Sequence, residues 1–140
     1  MGYRSDVLIA IAFSSVEHRD EVWAVYCIDP RVQKHNLSEV WNRHDGGPYP
    51  VLWFSEEYTK WYDSYDDVSG VEHLMDLMSE FAQEKSLPYA YVFYRIGEDT
   101  TDMEIIERTA GDNGGDMNHM LWELCGIERR IVHQLTTHKE

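Results

Sequence analysis

A chain of 140 residues with 43% hydrophobic and 13% aromatic content carries enough apolar surface to bury a core, which excludes general disorder. Its 26 Asp and Glu against 12 Lys and Arg leave a formal charge of −14, which repels a phosphate backbone and disfavours direct nucleic-acid binding. The longest apolar run, residues 7–13, is too short to span a bilayer and no secretion-type segment opens the chain, so the expectation is one acidic domain over residues 1–140, cytoplasmic, with no membrane partner.

Val7, Ile9, Ile11 and Phe13 alternate with Leu8, Ala10 and Ala12, a period-two pattern apolar on both faces. This predicts an interior strand with a helix laid across its small-residue face. Ser14 and Glu17 have capping-box spacing, and Val22, Trp23, Val25 and Tyr26 supply an apolar stripe, so a helix is predicted over 16–27. Asp29-Pro30 caps and opens a second, short helix running through Leu37, Val40 and Trp41, which breaks at Gly46-Gly47-Pro48-Tyr49-Pro50.

Residues 51–62 are rich in β-branched and aromatic types and predict a long strand with a bulge near Ser55-Glu56-Glu57. The clearest helix follows, with Val68, Val71, Leu74, Met75, Met78, Phe81 and Ala82 at three- and four-residue steps and Asp66 or Asp67 as its cap. Leu87-Pro88 ends it. Residues 89–96 predict a second aromatic strand, hairpinned to a shorter one through Met103, Ile105 and Ile106. Three glycines between 111 and 115 predict a mobile acidic loop. Residues 117–124 fit helix or strand, and Ile127, Arg129, Ile131, His133 and Leu135 alternate as in a final strand. The result is an α+β fold of order β-α-α-β-α-β-β-β, a largely antiparallel sheet of about five strands with helices on one face.

No phosphate-binding loop, dinucleotide fingerprint, nucleophile elbow, HExxH or CxxC motif occurs, so binding is favoured over catalysis and no cofactor is expected. Cys27 and Cys125 read as reduced, buried thiols. A metal site, the rival enzymatic reading, would need His44 and Asp45 to meet Asp112, Asp116 and His119. Neither acidic run matches the order of calcium ligands in an EF-hand. Trp53, Tyr58, Trp61, Tyr62, Tyr89, Tyr91 and Tyr94 crowd the strands flanking the main helix; most read as core, yet alternation sends some to the opposite face, where aromatic residues rimmed by acids suit a protein partner.

Three segments stand out: Met1-Gly2-Tyr3-Arg4-Ser5-Asp6-Val7 leading into the first strand, Lys60-Trp61-Tyr62-Asp63-Ser64-Tyr65 with Asp67-Val68, and Tyr94-Arg95-Ile96-Gly97-Glu98-Asp99 with Asp102 and Glu104. Together they resemble a group of small uncharacterised bacteriophage proteins, over the first strand and residues 51–107. The resemblance carries no activity. What it implies is a class: small acidic phage proteins without catalytic motifs that act on host machinery, inhibitors of CRISPR complexes and mimics of DNA charge among them. The partner expected on this reading is a host protein or complex with a basic surface, contacted through Glu98, Asp99, Asp102, Glu104, Glu107, Asp112 and Asp116 with Trp61 and Tyr62. A homo-oligomeric structural or regulatory phage component, such as a homodimer, with the aromatic face as subunit interface, is the remaining alternative.

Overall fold

The computed structural model describes residues 3–62, 64–99 and 101–127. β1 (Ser5–Ala12) leads into α1 (Val16–Cys27) and α2 (Pro30–Lys34); a 3-10 turn (Leu37–Glu39) precedes β2 (Asn42–His44) and β3 (Val51–Thr59). α3 (Asp66–Lys85), the hairpin of β4 (Tyr89–Gly97) and β5 (Met103–Ala110), and α4 (Gly114–Cys125) complete the described fold. It is an α+β architecture with one antiparallel sheet of order β2-β3-β1-β4-β5.

The central strand β1 is buried along its whole length because both of its faces are covered. Val7, Ile9, Ile11 and Phe13 join Phe54, Leu52, Tyr91 and Phe93 beneath Val22, Tyr26, Leu74 and Met78 of α1 and α3. Leu8, Ala10 and Ala12 join Ala90, Val92 and Tyr94 on the other face, beneath Met117, Leu121 and Cys125 of α4. The helix expected over the small-residue face is therefore α4. The helices flank the sheet on both sides, which corrects the expectation of one covered face. Alternating side chains put large residues towards α1 and α3 and alanines towards α4, so each layer needed its own cover.

Several local signals are realised. Ser15 rather than Ser14 caps α1, accepting from the His18 N–H at 3.1 Å. Asp29 caps α2, accepting from the Arg31 N–H at 2.8 Å, with Pro30 in the first turn, but the helix stops at Lys34 and does not run through Leu37, Val40 and Trp41: Asn36 turns left-handed and only a 3-10 turn follows. α3 begins at Asp66, but neither Asp66 nor Asp67 is its cap: Tyr65 holds that position without a side-chain bond, and the acids sit in the first turn, where the helix dipole favours them. The bulge falls at Glu57 and Tyr58, since Val7 opposes Glu56 and Ser5 opposes Thr59. Tyr58 takes a φ of 52°, and its N–H donates to the buried Asp6 carboxylate at 2.7 Å.

Two other expectations change. The glycine-rich stretch is a tight corner, with Gly111 at φ 81° against Pro88 and α4 starting at Gly114. The fifth described strand is the short β2. The predicted final strand, from Ile127 to Leu135, lies outside the described residues except for Ile127, which is helical and not extended, and is buried in the α4-side core. No helix among the described residues is long and apolar enough to cross a membrane.

Candidate functional site

The three segments that carry the resemblance converge at one end of the sheet. The chain enters β1 there through Tyr3 and Ser5, β3 runs out into Trp61 and Tyr62, and the β4–β5 turn closes over both. A groove of about 450 Å³ is lined by Tyr3, Ser5, Trp61, Tyr62, Arg95, Asp102 and Glu104, with Ser64 at its margin.

Hydrogen bonds hold this cluster in register. The Tyr3 N–H donates to the Tyr62 hydroxyl at 2.6 Å, and that hydroxyl donates to the Tyr3 carbonyl at 3.3 Å. The Tyr3 hydroxyl donates to Asp102 Oδ2 at 2.6 Å and accepts from the Asp99 N–H at 3.1 Å. Arg95 forks onto the same carboxylate, Nη2 to Oδ1 at 2.7 Å and Nη1 to Oδ2 at 3.1 Å, while Nη1 also donates to Ser5 Oγ at 3.2 Å. Arg95 Nε lies 3.7 Å from Glu104. Gly97 makes the arrangement possible, because a methyl group there would collide with the Tyr3 hydroxyl and Asp102 Oδ2.

The electrostatics follow from these contacts. Arg95, then Tyr3, holds the Asp102 carboxyl down to about 2, and the same carboxylate raises the pKa of both Arg95 and Tyr3. The Thr101 N–H and hydroxyl, both donating to Asp99 Oδ1, lower the Asp99 pKa. Glu98 accepts from the Arg4 N–H at 2.9 Å, and Arg4 stacks over Tyr58 with its guanidinium 5.2 Å from the ring. Behind the groove the buried indole N–H of Trp61 finds no acceptor among the described residues.

The acids expected to contact a partner are divided by the strand that carries them. Asp102 and Asp112 flank opposite ends of β5, roughly 25 Å of strand apart. Glu104 projects with Arg95 on the α3 face, whereas Glu107 projects on the α4 face and accepts from Trp122 Nε1 at 2.6 Å and Asn118 Nδ2 at 3.3 Å. Asp112 is exposed at the corner before α4, and Asp116 in the first turn of that helix. Glu98, Asp99, Asp102 and Glu104 therefore gather with Trp61 and Tyr62; Glu107, Asp112 and Asp116 do not. A larger groove of about 750 Å³ beside α4 contains Glu107, His119, Trp122 and Glu123, and takes in only Glu107 of the expected set.

The aromatic residues divide likewise. Tyr89, Tyr91 and Tyr94 are core, Trp53 packs against the α4-side core, and Tyr58 is exposed. The proposed metal constellation does not assemble: Asp45 is ion-paired with Arg19, His119 Nε2 lies 3.0 Å from Glu123 Oε1, and His44 lies against the Gly46-Gly47 backbone. Among the described residues no group of three His, Cys, Asp or Glu side chains is placed to hold a metal ion.

Sequence reasoning did not single out Tyr3, Ser5, Arg95 or Gly97 as site residues, although each lies in a segment that carried the resemblance. The signal available was the co-occurrence of those segments, not any spacing within them. Comparison with protein families, curated proteins and solved structures returned no match for this chain.

Proposed function

We propose that this chain is an interaction protein that inhibits or modulates a host complex handling nucleic acid or mediating defence, in the manner of anti-CRISPR or DNA-mimic proteins. It docks on a basic surface of that complex through the groove at the β4–β5 turn. The observation that carries this reading is the convergence of Trp61 and Tyr62 with Glu98, Asp99, Asp102 and Glu104 on one end of the sheet. Aromatic anchors supply contact area at small entropic cost, and carboxylates steer a basic partner and fix its register. Arg95 and Tyr3 hold Asp102 in place before any partner arrives, which lowers the cost of ordering on binding. The charge of −14 extends the same field over the rest of the chain.

The test is retention of a partner from host lysate by the tagged chain and by a Glu98→Lys/Glu104→Lys variant, at low and moderate salt. Asp102 is left intact in this variant because Arg95 and Tyr3 depend on it. The native chain is expected to retain a nucleic-acid-binding complex in a salt-sensitive way and the variant to lose it. Equal retention by both would remove the electrostatic reading, and recovery of the bait alone would remove the partner.

A further inference from the structure

Among the described residues the sheet ends in two unlike edges. β2 is three residues long, which blunts that edge. β5 is eight residues long, pairs with β4 in unbroken register, and contains no proline, lysine or bulge; of the usual devices against edge pairing it carries only the charges of Glu104, Glu107 and Arg108. Its side chains Met103, Ile105 and Ile106 are exposed.

The phase of the open edge follows from the hairpin. The Gly97 N–H donates to the Asp102 carbonyl at 2.8 Å, so these opposed residues form a hydrogen-bonded pair. Alternation along the ladder then turns the backbone groups of Glu104, Ile106 and Arg108 towards β4, and those of Met103, Ile105, Glu107 and Thr109 towards the open edge.

We infer that β5 pairs antiparallel with β5 of a second copy of this chain, about a two-fold axis at Ile106, joining the two sheets into one. In that register Ile106 opposes Ile106, and Glu104 of each copy, 3.7 Å from its own Arg95, opposes Arg108 of the other, which bonds its own Tyr91, so opposite charges face each other twice on the α3 face. Ile105 opposes Glu107 on the α4 face, where Trp122 and Asn118 already hold the Glu107 carboxylate to their own side. Met103 opposes Thr109. The outward backbone groups of Ile105 and Glu107 meet each other as a hydrogen-bonded pair, and Ile106 sits at a non-hydrogen-bonded position, as the two-fold axis requires. The charge pattern selects a copy of this chain as occupant, because the strand is its own complement in this register. The inference shares Glu104 with the partner-binding reading, but Ile106, Arg108 and Met103, on which its tests turn, lie outside that groove.

Sedimentation velocity of the full chain over a wide range of concentration is expected to show a species of twice the chain mass that grows with concentration. Arg108→Glu, checked for folding by circular dichroism, should abolish it, and the exchanged pair Glu104→Arg/Arg108→Glu should restore it. Ile106→Cys in a Cys27→Ala background, oxidised by glutathione disulfide, should give a covalent dimer, since residues opposed in this way lie within disulfide reach. Met103→Cys in the same background should not, because the two copies of residue 103 would lie about 20 Å apart along the strands. Monomer mass at every concentration would overturn the inference, whether the edge stays open or another part of the chain occupies it. So would a dimer that survives Arg108→Glu, or cross-linking equal at 103 and 106.

Discussion

At the residue scale the site depends on a side chain that is missing. Gly97 faces the Tyr3 ring and Asp102, and the turn closes only because no Cβ intervenes. Gly97→Ala should expel the Tyr3 ring from the groove and loosen the fork between Arg95 and Asp102. Urea denaturation is expected to register a loss of about 1–3 kcal/mol, as for overpacking elsewhere, and the amide resonances of Asp99 and Tyr62 should shift with it. An unchanged midpoint and spectrum would show that the segment carrying Tyr3 is not held at this point.

A second residue-scale feature lies at the start of α1. His18 is buried, with Nδ1 3.2 Å from Ser14 Oγ, its ring edge-on to Phe13, and Nε2 without a hydrogen-bond partner among the described residues. Burial is the main cause that lowers its pKa below 6.5; Lys85 acts in the same direction and Glu21 against it. The unfolded chain therefore takes up this proton more readily than the folded one. The stability contributed by neutral His18 is full above pH 6.5 and falls as the pH drops through 6.5 towards the lower folded-state value. His18→Gln should flatten the slope of the urea midpoint between pH 7 and pH 5, and an equal slope in both proteins would assign it to other groups.

At the scale of elements, α4 decides the fate of the alanine face. Gly114, Met117, Leu121 and Cys125 are its buried residues, spaced three and four apart, and they lie over Ala10, Ala12 and Ala90. Small residues on the strands let the helix approach closely, and the cover makes β1 a fully buried strand. Leu121→Ala is expected to cost about 2–5 kcal/mol, the usual range for an emptied core leucine, measured by urea unfolding. Leu124→Ala, on the exposed side of the same helix, should cost well under half as much; similar losses from both would mean that α4 does not pack as described.

The period-two pattern of β1, the stripe of α3 and the Asp29-Pro30 start of α2 were legible because each is set by its own residues. Residues 117–124 were not decided, because a short apolar run fits either period. Nor did local pattern show that helices would cover both faces. That required knowing which segment returns to the alanine side, a long-range property.

At the scale of the whole molecule, charge dominates. A net charge of −14 in one folded chain is self-repelling, and salt screens that repulsion over about 10 Å at 0.1 M. Melting temperature should therefore rise as sodium chloride is increased from low to moderate concentration, while association with a basic partner weakens over the same range. A melting temperature that falls with salt would show that local ion pairs, such as Arg95 with Asp102 and Arg31 with Asp29, outweigh the global repulsion.

The sequence by itself determined the acidity, the α+β class, most element positions and the two-faced character of β1, because these depend on composition and on neighbours a few residues apart. Only the tertiary structure decided that Tyr3, Trp61, Tyr62, Arg95 and Asp102 share one groove, that Glu107, Asp112 and Asp116 lie away from it, and that no three of the His, Cys, Asp and Glu side chains among the described residues gather as a metal site. Strand order and the side of the sheet on which each residue emerges set those distances. Both are fixed by which faces need covering, a condition that no single stretch of chain contains.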